Sequence, residues 1–159
     1  MAPVDADGLH ITIQGIGFAD EVSDSDLRTI ADAAARRLAR RHPISLRIGP
    51  AIVDQETIQL PISNPAELGH IRDELQSAIA EVWGQDHVPE AVIAFRPHLT
   101  VAYSTGVAPI AELRARLAQS GLDGLVVEES VAAVSLIELN RDYGRYEWAD
   151  LEAAPLAPN

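Results

Sequence analysis

Leu9-His10-Ile11-Thr12-Ile13 and Pro97-His98-Leu99-Thr100-Val101 repeat one pattern in the two halves of this chain: a His and a Thr separated by one apolar residue. Each segment reads as a β-strand, and side chains two apart on a strand share a face. Each therefore presents an imidazole beside a hydroxyl. The surroundings repeat as well. Each half runs strand, loop, Arg-bearing helix, strand, short break, strand. Leu46-Arg47-Ile48 and Thr57-Ile58-Gln59-Leu60 of the first half answer Leu125-Val126-Val127 and Val134-Ser135-Leu136-Ile137 of the second. A lone His on a strand is more often structural than catalytic, but recurrence at equivalent places in two half-repeats reverses that judgement. The fold expected is a single α+β domain over residues 1–159, built by duplication with pseudo-repeats at about 9–62 and 95–153. A duplicated unit would then form two lobes with a cleft at their junction, a common place for ligands.

The local pattern supplies the elements. Leu9–Phe18 is the first strand, with His10, Thr12 and Gln14 on one face and Ile11 and Ile13 on the other. Ser23-Asp24-Ser25-Asp26 caps a helix over Asp26–Arg41, whose apolar stripe is Leu27, Ile30, Ala34 and Leu38. Arg36, Arg37, Arg40 and Arg41 crowd its C-terminal end, where cations suit the helix dipole; they are expected to be solvated. Ile44–Ile48 and Glu56–Ile62 read as strands paired antiparallel around Gly49-Pro50. A second helix runs from Asn64-Pro65 to Trp83, Phe95–Tyr103 carries the second motif, and a third helix follows Pro109 and ends near Gly121. Leu125–Glu129, Ala132–Leu139 and Tyr146–Ala153 complete the strands.

Composition narrows the function. An apolar content of 47% in 159 residues fits a globular core, and no apolar run approaches a membrane span. The N-terminus lacks a basic and then apolar leader, so a cytoplasmic location is expected, with no membrane partner. With no Cys, thiolate chemistry and Cys-ligated zinc are excluded. The net charge of −12, with twelve basic residues that are all Arg, argues against long duplex nucleic acid, whose binding rests on broad phosphate neutralisation. A nucleotide ligand should be small, or held at one local site.

Two facing imidazoles can divide a proton-transfer reaction, one neutral as base and one protonated as acid, because their ordinary pKa lies near neutrality. The Thr hydroxyls can donate to the oxygens that hold negative charge. A strand-borne His-x-Thr without a carboxylate cluster is a poor transition-metal site, so no metal and no cofactor are expected. On the same face as these groups, Gln14 and Arg96 are candidate substrate contacts. Strict alternation turns Tyr103 away from His98 and Thr100 unless the strand bends. Arg141 and Arg145 flank Tyr143 in a hairpin loop that could grip a nucleobase. His42, His70 and His87 are assigned no chemistry.

The residues His10-Ile11-Thr12-Ile13-Gln14-Gly15-Ile16-Gly17-Phe18 and Phe95-Arg96-Pro97-His98-Leu99-Thr100-Val101-Ala102-Tyr103-Ser104 resemble those of the 2H phosphoesterase superfamily, in its 2′-5′ RNA ligase (LigT-like) branch. The resemblance spans roughly residues 9 to 152, and the second block is its specific part. It implies a duplicated two-lobed fold, with antiparallel sheets lining a central cleft and helices outside, and a metal-independent phosphodiesterase of the RNA 2′,3′-cyclic phosphodiesterase type. The substrate would be a 2′,3′-cyclic or 2′-5′-linked phosphoester at a nucleotide or RNA end. His10, Thr12, His98 and Thr100 would be catalytic, with His98 activating water and His10 protonating the 3′ oxygen to leave a 2′-phosphate. The near-symmetry of the motifs leaves the reverse assignment open. Family members usually carry a further strand and helix before the first motif, where this chain has eight residues before Leu9. A missing strand would expose a sheet edge, which a homodimer through that edge would relieve. Two other readings share the fold: a nucleotide-binding module that no longer turns its ligand over, and an enzyme that cleaves cyclic oligonucleotides.

Overall fold

The structure, a computed structural model, describes residues 1–107, 109–140 and 147–158. Its elements are β1 (Ala2–Pro3), α1 (Asp24–Leu38), β2 (Ile44–Ile48), β3 (Ile52–Val53), β4 (Thr57–Pro61), α2 (Ala66–Trp83), β5 (His98–Tyr103), α3 (Ile110–Ser120), β6 (Val127–Val131), β7 (Ala133–Asn140) and β8 (Glu147–Pro155). Mixed helices and antiparallel sheets make this an α+β fold, as the sequence pattern requires. The chain forms two compact units interleaved along the sequence. One comprises Met1–Thr12, Ser45–Pro65 and Arg96–Glu129; the other comprises Ile13–Ile44, Ala66–Phe95 and Ser130–Asn159.

The first unit is built on a four-stranded sheet in the order β1-β5-β4-β3, antiparallel throughout. β2 alternates strictly, with Ile44, Leu46 and Ile48 buried and Ser45 and Arg47 exposed, the signature of a strand with one face in the core. The Asn64 side chain completes its edge: Oδ1 accepts from the Arg47 N–H at 2.7 Å and Nδ2 donates to the Ser45 carbonyl at 2.8 Å. β2 forms a two-stranded sheet with β6 and meets the end of β4 at the isolated bridge Ile48↔Ile62. The expected hairpin of Ile44–Ile48 with Glu56–Ile62 is corrected accordingly: β4 takes β3 and β5 as partners. The break between them falls at Gly49, where φ is +105° and a Cβ would collide with the Leu125 carbonyl oxygen. Only glycine fits there.

The second unit packs α1 against α2. Ser23 caps α1, its side chain accepting from the Asp26 N–H at 3.1 Å, and Asp24 and Asp26 sit in the first turn, where the dipole favours anions. Buried Ala33, Ala34 and Ala78 with Leu75 allow close helix approach, and Ile30, Ile79 and Val88 with Ile16, Val82 and Trp83 form a second cluster. The Arg cluster at the end of α1 is not simply solvated. Arg37 reaches Glu74 and Glu81 of α2, and Arg41 pairs with Glu74 at 2.7 Å. β7 and β8 form an antiparallel pair, of which β8 packs on α1.

The expected strand over Leu9–Phe18 is reduced to one antiparallel bridge, Ile11↔Leu99. The reason is partner length. β5 spans six residues, and on that flank its Val101–Tyr103 end is already taken by Val4 and β1, leaving room for a brief contact. β5 likewise starts at His98 instead of Phe95, β6 lies at Val127–Val131 instead of Leu125–Glu129, and α1 runs from Asp24 to Leu38.

Candidate active site

All four motif residues belong to the first unit, and β5 organises them. On one flank β4 sets Gln59 opposite Thr100, Leu60 opposite Leu99 and Pro61 opposite His98. On the other flank the chain returns from a 3-10 turn at Ala6–Gly8 to make the Ile11↔Leu99 bridge. Directly opposed residues of an antiparallel pair project to one side, and their neighbours to the other. Ile11 and Leu99 therefore point one way. Carried one step to either side, the antiparallel register of this single bridge pairs His10 with Thr100 and Thr12 with His98, on the reverse face. The motifs run antiparallel about the Ile11–Leu99 pair.

Both rings are held by the same device. His10 Nδ1 lies 3.1 Å from the Gly8 carbonyl oxygen, and His98 Nδ1 lies 2.9 Å from the Arg96 carbonyl oxygen. A carbonyl only accepts, so Nδ1–H donates in each case, and Nε2 is the ring nitrogen left outside that contact. His10 is half-buried and His98 exposed, with Thr100 half-buried and Thr12 exposed.

Two further groups join this face that the sequence pattern did not single out. Gln59, opposite Thr100, donates from Nε2 to Asp54 Oδ2 at 3.1 Å. Asp54 also accepts from the N–H groups of Glu56 and Thr57 and from the Thr57 hydroxyl. Burial pushes the Asp54 carboxyl up, but these donors and the attraction of His98 together hold it below the usual carboxylate range. A negative charge thus stands within electrostatic reach of His98. The Asp54-Gln55-Glu56-Thr57 turn, with an Asp before two backbone donors, was the available signal.

A bulge changes the placement of Tyr103. The register steps from Ile58↔Ala102 to Gln59↔Thr100, so Val101 is an extra residue on β5. Thr57, two residues from Gln59, lies opposite Tyr103. Tyr103 is thereby turned onto the face of Thr100 and His98, reversing the strict-alternation expectation. Arg96 is exposed and lends its carbonyl to His98. Gln14 belongs to the second unit, where its amide donates to Gly15 and Pro89 and accepts from Arg72 and Gln76. Arg141 and Tyr143, with Arg145, lie outside the described residues. Among the described residues no cluster of His, Asp or Glu could hold a metal ion, and no helix is long and apolar enough to cross a membrane. An open groove of about 650 Å³ in the second unit, lined by residues that include Phe18, Val22 and Trp83, contains none of the motif residues.

The fold is α+β and is that of LigT-like phosphoesterases. Escherichia coli LigT complexed with 3′-AMP superposes with a TM-score of 0.67 at 22% identity, over 97% of this chain and 80% of that one. TT0787 of Thermus thermophilus gives 0.71 at 18% identity, over 99% and 82%. A structure described as a phosphoesterase gives 0.66 at 20%, over 98% and 81%. Comparison with curated protein sequences returns no match. The family model of the 2′-5′ RNA ligase superfamily matches residues 2–142, and the chain belongs to that superfamily.

Proposed function

We propose that this chain is a phosphodiesterase that opens 2′,3′-cyclic phosphates at nucleotide or RNA ends, or cleaves 2′-5′ linkages, and that His10, Thr12, His98 and Thr100 do the chemistry. The observation that carries this reading is the pair of imidazoles, each anchored through Nδ1 to a backbone carbonyl and set about the Ile11–Leu99 bridge. One imidazole, neutral, takes a proton from water through Nε2 as the water oxygen bonds to phosphorus. The other, protonated, gives its Nε2 proton to the ribose oxygen as the P–O bond to it breaks. The Thr hydroxyls donate to the non-bridging oxygens, where charge accumulates. The phosphate remains on the other ribose oxygen, a 2′-phosphate if the 3′ oxygen departs. Neither proton transfer calls for a metal.

Support comes also from the relatives. E. coli LigT has been solved complexed with 3′-AMP and with phosphate, which fits a small phosphoester as ligand. The net charge of −12 favours the same size class. The test is incubation with 2′,3′-cyclic AMP in the presence of a chelator, followed by separation of 2′- and 3′-AMP. Accumulation of a single monophosphate is expected. Tight binding of 2′-AMP without any turnover of the cyclic substrate would replace this reading with that of a nucleotide-binding module.

A further inference from the structure

Among the described residues, Arg72 of α2 is the one charged side chain that is buried, at 7% exposure. Its guanidinium makes three hydrogen bonds to neutral acceptors: Nε to Gln14 Oε1 at 3.1 Å, one terminal nitrogen to the Ile93 carbonyl at 3.2 Å, and the other to the Glu90 carbonyl at 2.8 Å. The same group lies over the Phe95 ring, 4.9 Å from its centre. Gln14 adds its own span, donating to the Pro89 carbonyl at 2.8 Å. Glu90 is held at a φ of +57°, and its carbonyl also receives the Ile93 N–H. A non-glycine residue keeps that conformation only where its surroundings over-determine it.

A buried charge is an expensive way to stabilise a core, and apolar side chains of similar volume commonly do as well or better. What arginine adds is a rigid planar fork that fixes several acceptors at once. Here the acceptors come from two chain segments. Gln14 is two residues after Thr12, and Phe95 is three before His98. The second link is short and stiff: Arg96 gives its carbonyl to the His98 ring, and Pro97 is buried with a fixed φ. All the clamp's contacts lie within the second unit, and the chain itself connects them to the motifs.

We propose that Arg72 is a positioning residue, joining the segment that leaves the first His-x-Thr motif to the segment that enters the second and so fixing the alignment of His10 with His98. The proposal rests on the phosphodiesterase reading for its catalytic consequence, but the alignment itself can be observed without turnover. The test compares wild type with Arg72→Met and Arg72→Lys, using histidine labelled with nitrogen-15 and assigned through single His substitutions. In folded R72M, the ring signals of His10 and His98 should shift or broaden while those of His42 and His70 stay. With 2′,3′-cyclic AMP, kcat should fall roughly tenfold to a hundredfold at little change in KM, the size expected when reacting groups are misaligned. R72K should fall between, since it restores charge but not the fork. Unchanged His10 and His98 ring signals, with kcat within twofold of wild type, would overturn the proposal. Should R72M fail to fold, R72K and Phe95→Leu are measured in the same two ways, and unchanged ring signals and kcat there overturn it equally. Absence of turnover in wild type would count against the phosphodiesterase reading alone, and the ring signals would still decide the clamp.

Discussion

At the scale of residues, the candidate site is legible in the sequence where it rests on side-chain types and hidden where it rests on backbone atoms and turns. His10, Thr12, His98 and Thr100 stand out by pattern. Nothing in the pattern reveals that the carbonyls of Gly8 and Arg96 set the tautomer of both rings, because a carbonyl is present at every position. Asp54 reaches this face through the turn before β4 and through Gln59, a relation of register that no single strand's periodicity contains. A hydroxyl that donates to developing phosphate charge should matter most in the transition state. Thr100→Val is therefore expected to lower kcat about tenfold to a hundredfold with little change in KM, measured on 2′,3′-cyclic AMP. A change confined to KM would make Thr100 a ground-state contact.

At the scale of elements, helices are legible in the sequence and strand pairing is less so. The α1 cap, the span of α2 and the end of α3 at Gly121 follow from local signals, since helical hydrogen bonds close within the element. Strands need partners that sequence does not show. Leu9–Phe18 has strand-like alternation, yet β5 offers it one bridge. The bulge at Val101 reverses the face of Tyr103, and no local residue type announces it. Gly49 is the position where backbone demand is sharpest. Gly49→Ala combines a left-handed φ with a collision at the Leu125 carbonyl oxygen, and is expected to destabilise the protein by about 2 kcal/mol or more, read from denaturant midpoints. A midpoint equal to wild type would show that the Gly49–Leu125 approach is looser than described.

At the scale of the whole molecule, the sequence showed a small acidic α+β protein, while the partition into interleaved units and the ion pairs between helices were beyond it. The Arg cluster of α1 looked like a solvated helix end because its carboxylate partners, Glu74 and Glu81, sit on a different helix. The Arg41 hydrogen bond, helped by Arg37 and opposed by burial, holds the Glu74 carboxyl below its ordinary 4.5. A carboxyl with a lowered folded pKa stabilises fully above that ordinary value and loses its contribution as pH falls through the folded one. Partial exposure of all three side chains keeps the effect small. Glu74→Gln should thus be less stable than wild type by about 0.5–1 kcal/mol at pH 7, the gap closing in urea titrations as pH falls below the ordinary 4.5. A gap that persists unchanged at pH 2–3 would assign the loss to packing.

The central claim is that the two motifs act as one site, each contributing an imidazole to a single phosphoester reaction. Phosphorus NMR of 2′,3′-cyclic nucleotides tests it directly with wild type, His10→Ala and His98→Ala, each shown to be folded. Wild type is expected to convert the cyclic resonance into one monophosphate resonance, and each single variant to lose at least about a hundredfold in rate, as removal of a general acid or base does. Turnover near the wild-type rate in either variant would contradict the account, because a site that works with one imidazole is not the paired site described.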